Sequence, residues 1–291
     1  MKILVTGANG QLGYDVLKEL HRRKIPCLGI DREAFDITNM PQVMHGVEAY
    51  LPDAIIHCAA YTDVNRAESE QALCMDINYR GSANIAAAAN KTGAKLVYIS
   101  TDYVFGGAGD RPLDIYDAKK PLNVYGETKL SGENSTRILC PRSFIVRTSW
   151  VFGINGSNFV KTMLKLGREK EEIQVVRDQV GSPTYTADLA PLLCDMALTE
   201  RFGTYHATNE GYCSWYDFAS EIMRMRNLPA RVLPVSTQEY PSAAARPLNS
   251  RLSKKSLDEA GFPRLPHWRD ALQRYLSELA IAEEEGVIKA F

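Results

Sequence analysis

The sequence lacks the features that mark membrane proteins and nucleic-acid-binding proteins. Its 291 residues include 34 basic and 35 acidic side chains, a formal net charge of −1, with no long block of like charge. We therefore expect neither a nucleic-acid partner nor attraction to an anionic membrane. No apolar run approaches the ~20 residues that span a bilayer. The first residues lead directly into an apolar strand, which predicts a chain without a signal peptide.

A cysteine-based architecture is also missing. The six cysteines are scattered along the chain, and no two of them form a C-x-x-C pair. This distribution argues against a zinc site and against a disulfide framework. We expect reduced thiols, which fit a cytoplasmic protein.

Short apolar runs alternate with helical stretches through the first half of the chain. The runs suited to buried parallel strands are Ile3 to Val5, Cys27 to Ile30, Ala54 to Cys58, Leu96 to Ile99 and Phe144 to Val146. The pattern predicts an α/β fold, a doubly wound parallel sheet of Rossmann type with a smaller C-terminal substrate-binding lobe. We place the dinucleotide-binding domain at residues 1–150, with some later segments returning to it, and the lobe mainly at residues 151–291.

The most informative segment is MKILVTGANGQLG at residues 1–13. An apolar strand leads into a turn spaced Gly7-x-x-Gly10-x-x-Gly13, and a helical pattern follows. This order suits a dinucleotide pyrophosphate, because glycines allow close approach of the backbone and a helix N-terminus favours negative charge. We interpret the turn as a dinucleotide site, although its spacing differs from G-x-G-x-x-G.

A second pattern, Tyr125-x-x-x-Lys129, predicts catalytic chemistry. On a helix this spacing puts both side chains on one face, one turn apart. A neighbouring ammonium lowers the pKa of a tyrosine, so that the pair can deliver a proton to a carbonyl oxygen. Ordinary solvated helices also contain this spacing. Its position after the fourth predicted strand, which ends in Ser100-Thr101-Asp102, favours the catalytic interpretation.

From Val5 to Leu252 the chain resembles the extended short-chain dehydrogenase/reductase superfamily and, within it, the dTDP-4-dehydrorhamnose reductase family. The resemblance is carried by VTGANGQLG at Val5, DIT at Asp36, HCAAYTDVNRAE at His57, STDYVF at Ser100, YGETK at Tyr125, RTSWVFG at Arg147, NFVKTML at Asn158, DQVGSPTYTADLA at Asp178 and RPLNSRL at Arg246. Many reductases share the glycine turn, whereas the STDYVF, RTSW and DQVGSPT motifs are typical of this family.

The resemblance implies roles for individual residues. The catalytic residues are Thr101, Tyr125 and Lys129. We assign cofactor binding to Gly7, Gly10, Gln11, Leu12, Gly13, Asp31, Arg32, Asp36, Ile37, Ala59, Ala60, Tyr61, Thr62, Asn78, Ser100, Tyr125 and Lys129. We assign substrate binding to Thr62, Val64, Thr101, Asp102, Trp150, Asn158, Phe159, Gln179, Thr184 and Arg246. A diphosphate needs a cationic partner, and Arg246 and Lys161 compete for that role. Asn65 departs from the family, which usually has aspartate there.

The activity implied by the resemblance is NAD(P)H-dependent reduction of the C4 keto group of dTDP-4-dehydro-L-rhamnose to dTDP-L-rhamnose. This step belongs to nucleotide-sugar and cell-surface polysaccharide biosynthesis. The expected partner is the dTDP-sugar substrate, bound by a monomer or a homodimer. The two possible cofactors make opposite demands, because Asp31 suits the ribose 2′-hydroxyl of NADH and Arg32 suits the 2′-phosphate of NADPH.

Two alternatives remain open at the level of sequence. One is another nucleotide-sugar epimerase or dehydratase of the same fold, although a 4,6-dehydratase needs a second acid where this chain has Tyr103. The other is a non-catalytic regulatory subunit, the role that a relative in animals has for methionine adenosyltransferase. Some family members bind Mg²⁺ through glutamates, and Asp15 and Asp188 stand at two of those positions. Because these side chains are shorter and a third ligand is not evident, we predict no metal site.

Overall fold

The computed structural model describes residues 1–284, and its strands and helices alternate as the sequence predicts. The strands are β1 (Ile3–Thr6), β2 (Cys27–Ile30), β3 (Ala54–His57), β4 (Lys95–Thr101), β5 (Ser143–Thr148), β6 (Val151–Phe152), β7 (Glu172–Val176), β8 (Val180–Gly181), β9 (Thr184–Tyr185), β10 (Gly203–His206), β11 (Cys213–Ser214), β12 (Arg231–Val235) and β13 (Asn249–Ser250). The α-helices are α1 (Gln11–Arg22), α2 (Met40–Tyr50), α3 (Val64–Ala67), α4 (Gln71–Met75), α5 (Ser82–Thr92), α6 (Val124–Leu139), α7 (Phe159–Glu169), α8 (Thr186–Leu198), α9 (Trp215–Met225), α10 (Lys255–Glu259) and α11 (Trp268–Glu284). A π-helix (Asp76–Gly81) joins α4 to α5, and a 3₁₀-helix (Asp102–Val104) follows β4.

Six parallel strands form the central sheet in the order β10-β5-β4-β3-β1-β2. The chain builds outwards in one direction from β1 to β2 and in the other from β3 onwards. The strand order therefore reverses between β1 and β3, which is where ligands bind in doubly wound sheets. The predicted Rossmann-type fold is confirmed.

The sheet is covered on both faces, because its strands are apolar on both sides. In β1, Ile3 and Val5 belong to the core that contains α1 and α8, whereas Leu4 belongs to the opposite core with α2 and α5. All three side chains are fully buried. Successive side chains of a strand point to opposite faces, so a continuous apolar run produces a two-sided core.

Parts of the second half of the chain return to this first domain. The strand β10 forms an edge of the central sheet, and α8 packs beside α1. The remaining segments build a lobe around a separate core, in which α7 and α9 pack on the β7–β12 pair and α11 packs on β9. This core buries Phe152, Phe218 and Trp268. Residues 285–291 of the expected lobe lie outside the described residues. Within residues 1–284, no helix is both long and apolar enough to cross a bilayer.

Candidate active site

A cavity of about 820 Å³ opens at the carboxyl ends of the central strands, between the sheet and the C-terminal lobe. This volume lies in the upper part of the range found for ligand pockets. Of the residues predicted for the site, the cavity is lined by Gly7, Gly10, Gln11, Leu12, Gly13, Asp31, Arg32, Asp36, Ile37, Ala59, Ala60, Thr62, Val64, Ser100, Thr101, Asp102, Tyr125, Lys129, Trp150 and Asn158.

The glycine turn forms one end of the cavity and leaves no room for side chains. Gly7 has φ of 66°, and a Cβ there would lie 2.7 Å from the backbone nitrogen of Ala59. A Cβ on Gly13 would lie 2.0 Å from the Gly7 carbonyl oxygen. Gly10 is the N-cap of α1, and no described side chain caps this helix. The N–H groups of its first turn are therefore available to an anionic ligand, as a pyrophosphate site requires.

The residues expected beside the adenosine lie after β2. The Asp31 carboxylate accepts a hydrogen bond from the Asn9 backbone N–H at 2.7 Å, which ties it to the glycine turn. The Arg32 side chain is 82% exposed, and its Nε lies 3.6 Å from the Asp36 carboxylate. Asp36 in turn accepts hydrogen bonds from the backbone and hydroxyl of Thr38, and these bonds lower its pKa. The Asp31 carboxylate is therefore fixed by the glycine turn, whereas the neighbouring Arg32 guanidinium is largely exposed to solvent.

At the centre of the cavity, Thr101 at the end of β4 meets Tyr125 on α6. The Tyr125 hydroxyl lies close enough to the Thr101 side chain for their interaction to lower the Tyr125 pKa. Thr101 Oγ1 also donates to the Asp102 carboxylate at 3.0 Å. The helix that carries Tyr125 begins at a defined residue, because the Asn123 side chain caps it by accepting from the Gly126 N–H at 2.8 Å. Two hydroxyl groups from different elements therefore converge on one point.

The pKa of Tyr125 differs from the sequence expectation. Burial raises it above the ordinary value of a tyrosine; the Thr101 side chain lowers it, and Asp102 raises it further. The predicted lowering by Lys129 is not seen in the chain alone, because desolvation of the phenolate dominates. A raised pKa keeps the hydroxyl protonated at neutral pH, which is the form that a proton donor needs.

Lys129 is buried beside Tyr125, with 3% of the residue exposed. Its ammonium donates to the Ile99 carbonyl at 2.7 Å and lies 4.3 Å from the centre of the Tyr98 ring. Burial lowers the pKa of Lys129 to about 8, and the Glu133 carboxylate opposes this shift. The nearby His57 is bound on both ring nitrogens, and burial lowers its pKa to about 3, so it stays neutral.

Two residues predicted to bind the cofactor lie behind the cavity wall instead. Asn78 is fully buried; it accepts from the Tyr61 N–H at 2.8 Å and donates to Thr128 Oγ1 at 3.1 Å. The Tyr61 hydroxyl points away and donates to Glu70 at 2.6 Å. Asn78 therefore fixes the backbone of the loop after β3 against α6. Through this loop Asn78 can affect the shape of the cavity without lining it.

The lobe supplies an aromatic wall. Trp150 follows β5 and stacks on Trp215, the first residue of α9, and both rings line the cavity. Asn158 connects the lobe to the glycine turn by donating to Gln11 Oε1 at 3.1 Å. Tyr103, Ser149 and Trp215 are cavity residues that the sequence analysis missed. Tyr103 and Ser149 come within four residues of the ends of predicted strands, which could have indicated them, whereas the position of Trp215 depends on tertiary packing.

Four predicted substrate residues do not line the cavity. Phe159 packs on Trp215 in the lobe core, and Thr184 is fully buried in β9. The Gln179 amide donates to Thr237 at 3.1 Å. Arg246 lies at the rim, where its guanidinium reaches the Tyr103 hydroxyl at 3.5 Å.

Lys161 and Arg246, the two candidates for binding the diphosphate, differ in burial and in their partners. The ammonium of Lys161 donates to the carbonyls of Ile154 and Gly156, both at 2.7 Å, and Lys161 is 6% exposed. It therefore anchors the loop before α7. Arg246 is half-buried and is held by the Asn65 side chain at 3.2 Å. The departure from the family at Asn65 keeps an oxygen acceptor for this guanidinium.

The donor set at the two aspartates does not fit a divalent cation. Both carboxylate oxygens of Asp188 accept from Arg274 at 2.8 Å, and Asn209 donates to one of them. Asp15 accepts from Thr186 and is buried, which raises its pKa to about 6. Among residues 1–284, no group of three or more acidic, histidine or cysteine side chains is placed to hold a metal.

A doubly wound sheet with a glycine turn at its reversal point and a Thr–Tyr–Lys group beside it defines a short-chain dehydrogenase/reductase. The family described as the RmlD substrate binding domain matches residues 1–281, and the chain belongs to this family.

Named relatives cover nearly the whole chain. The spore coat polysaccharide biosynthesis protein SpsK of Bacillus subtilis strain 168 is 42% identical over 281 residues, which are 97% of this chain and 99% of that protein. A dTDP-4-dehydrorhamnose reductase of Aggregatibacter actinomycetemcomitans is 38% identical over 286 residues, 94% of this chain and 97% of that protein. The crystal structure of dTDP-4-dehydrorhamnose reductase from Bacillus anthracis in complex with NADP is similar at 46% identity and a TM-score of 0.93, over 95% of this chain and 99% of that one.

Proposed function

We propose that this protein reduces the C4 keto group of dTDP-4-dehydro-L-rhamnose to give dTDP-L-rhamnose, with NAD(P)H as reductant. The observation that carries the proposal is the convergence of Thr101 and Tyr125, with Lys129 beside them, in a cavity whose other end is the glycine turn. Relatives named for this reaction support the choice of sugar, and a relative named for spore coat polysaccharide biosynthesis supports a role in polysaccharide formation.

The chain's own residues bind and orient the reactants. When bound, the reduced nicotinamide supplies hydride to the carbonyl carbon of the sugar. The α1 N-terminus would hold the pyrophosphate and so fix the cofactor relative to α6. Thr101 and Tyr125 hold the carbonyl oxygen, and their hydroxyl groups stabilise the negative charge that develops on it.

Tyr125 is protonated at neutral pH and donates its proton to that oxygen. The Lys129 ammonium, fixed by the Ile99 carbonyl, contributes positive charge beside the phenolate that forms. In the chain alone, Thr101 donates to Asp102, so a bound carbonyl oxygen competes with this carboxylate for the threonine proton.

Tyr103 favours a reductase over a 4,6-dehydratase. It stands where a dehydratase needs its second acid, and its ring packs edge-on against Tyr125 with centroids 5.7 Å apart. Tyr103 supplies a phenol where the dehydratase needs a carboxyl group, and burial raises the pKa of that phenol to about 12.

The proposed setting is the cytoplasm. All six cysteines are free thiols in the structure. The cavity is lined by one chain, so a monomer contains the proposed chemistry and a homodimer contains it twice.

The test is oxidation of NADPH by the purified chain, followed at steady state with dTDP-4-dehydrorhamnose, with other nucleotide-linked 4-keto sugars and with dTDP-glucose as the control without a keto group. We expect turnover with the first, slower turnover with the other keto sugars and none with dTDP-glucose. Absence of turnover with every keto sugar, together with binding to a methionine adenosyltransferase, would instead support a regulatory subunit.

A further inference from the structure

A buried ion pair lies directly behind the reactive face of α6. Arg147 of β5 donates to Glu133 of α6 through Nε at 2.8 Å and Nη2 at 2.7 Å. The two side chains are 1% and 0% exposed. Burying opposite charges is costly, and apolar residues of similar volume often replace such pairs without loss of stability. Packing alone is therefore a weak reason for this pair.

Glu133 is connected to the cavity by two routes. The Ser100 hydroxyl donates to Glu133 Oε1 at 2.6 Å, and Ser100 lines the cavity next to Thr101. The second route runs along α6, where Glu133 follows Lys129 by one helical turn on the same face. One carboxylate thus links β4, β5 and the helix that carries the proton donor.

The groups that act on the Lys129 ammonium come from several elements: Cys58 after β3, His57 of β3, Cys74 of α4, Tyr98 of β4 and Glu133 of α6. His57 is neutral, and burial raises the pKa of both Cys58 and Cys74, so these thiols are uncharged at neutral pH. Glu133 is therefore the negative charge in this set.

We propose that Glu133 is a positioning residue for the reduction: anchored by Arg147 and Ser100, its carboxylate supplies the fixed negative charge that keeps the Lys129 ammonium protonated beside Tyr125. This inference rests on the proposed function. Burial lowers the pKa of Lys129 to about 8 even with Glu133 opposing it, so loss of Glu133 brings the deprotonation of Lys129 into the neutral range.

The test is the pH dependence of single-turnover NADPH oxidation with dTDP-4-dehydrorhamnose, at saturating concentrations of both. The rate falls as pH rises through the pKa of Lys129, because the reaction needs the ammonium. In Glu133→Gln, which keeps the side-chain shape, we expect this alkaline limb to move to lower pH by about one unit. Glu127→Gln is the matched control, because Glu127 is an exposed carboxylate on the same helix, and its profile should stay unchanged.

In Glu133→Gln the buried Arg147 loses its partner, and its unpaired positive charge could itself affect Lys129. A double variant separates this effect from the loss of the Glu133 charge. The double variant Glu133→Gln with Arg147→Met leaves no unpaired charge from this pair. We expect its alkaline limb to remain at a lower pH than that of the unmodified chain. The inference would be overturned if the alkaline limb of the double variant lay at the same pH as in the unmodified chain. It would also be overturned if the limb of a folded Glu133→Gln variant did not move. Loss of folding in both variants would also overturn it, since the pair would then serve stability. If the unmodified chain reduces no keto sugar, the proposed function fails before this inference is reached.

Discussion

The indole rings of Trp150 and Trp215 stack face to face, with centroids 3.7 Å apart and an interplanar angle of 14°. Trp150 has φ of 50°, a left-handed conformation that costs a bulky residue about 1–3 kcal/mol. Phe159 packs on the far side of the stack, with its ring centroid 4.5 Å from that of Trp215. The lobe core therefore holds Trp150, through Trp215, in the conformation that forms the cavity wall.

Replacing Trp215 should weaken substrate binding and spare the cofactor. In Trp215→Leu the support of the Trp150 ring is lost, and we expect KM for the nucleotide sugar to rise about fivefold, since an aromatic pair is worth about 1 kcal/mol beyond its buried area. NADPH affinity should stay within about twofold, because the glycine turn is distant. Steady-state kinetics and cofactor titration of the same preparation measure both quantities.

Two further variants control for unspecific damage. Trp215→Phe retains a ring and should restore most of the substrate affinity. Trp268→Phe removes bulk from a fully buried tryptophan that does not line the cavity, so it should lower the melting temperature and leave KM unchanged. An unchanged KM in Trp215→Leu would show that Trp150 keeps its conformation unaided.

Cofactor preference should be shallow, because Asp31 and Arg32 favour opposite ribose substituents. We expect kcat/KM for NADPH and NADH to differ by no more than about tenfold, or ~1.4 kcal/mol. Arg32→Ala should reduce kcat/KM with NADPH more than with NADH, because only NADPH offers a phosphate to the guanidinium. The control is Arg22→Ala, because the Arg22 guanidinium is 70% exposed and lies at the C-terminal end of α1, away from the glycine turn. A preference above about a hundredfold for either cofactor would contradict this balance.

Metal removal should leave catalysis intact. The Asp188 carboxylate is occupied by Arg274, and Asp15 is buried and accepts from Thr186 through one oxygen, so the two side chains do not form a ligand set for Mg²⁺. We expect turnover and melting temperature to be the same in EDTA and in excess Mg²⁺. A rate that falls in EDTA and recovers with Mg²⁺, but not with Na⁺ at equal ionic strength, would contradict this prediction.

Sequence patterns predicted the central sheet well, because short local patterns of apolar residues and glycines encode its strands and turns. The run at Ile3 to Val5 is buried on both faces, and the helix after it begins at Gln11 behind Gly10. The predicted apolar runs of β2 to β5 also appear as strands within a residue or two of their expected ends. Parallel order then brings their carboxyl ends to one edge, which is why the residues there share a cavity.

The lobe was harder to predict from sequence, because its side chains are positioned by contacts between distant segments. Nothing local distinguishes Phe159, which supports Trp215, from a residue that touches substrate. Lys161 has the right charge for a diphosphate, yet its ammonium bonds two carbonyls of its own loop. The same reasoning covers Asn78, whose buried amide holds a backbone loop. Charge and spacing identify candidates, and burial decides among them.

The decisive variant for the mechanism is Tyr125→Phe. It keeps the ring and its edge-on contact with Tyr103 but deletes the hydroxyl that lies beside Thr101. We expect cofactor binding to rest mainly on the glycine turn and on Lys129, so NADPH affinity should change little. The value of kcat should fall at least ~10²-fold, the lower end of what a positioned general acid contributes. A loss in kcat with similar KM marks an interaction made mainly in the transition state. Tyr116→Phe is the control, because Tyr116 is 85% exposed and lies outside the cavity. If Tyr125→Phe retains more than about a tenth of the original kcat, the proton comes from another group.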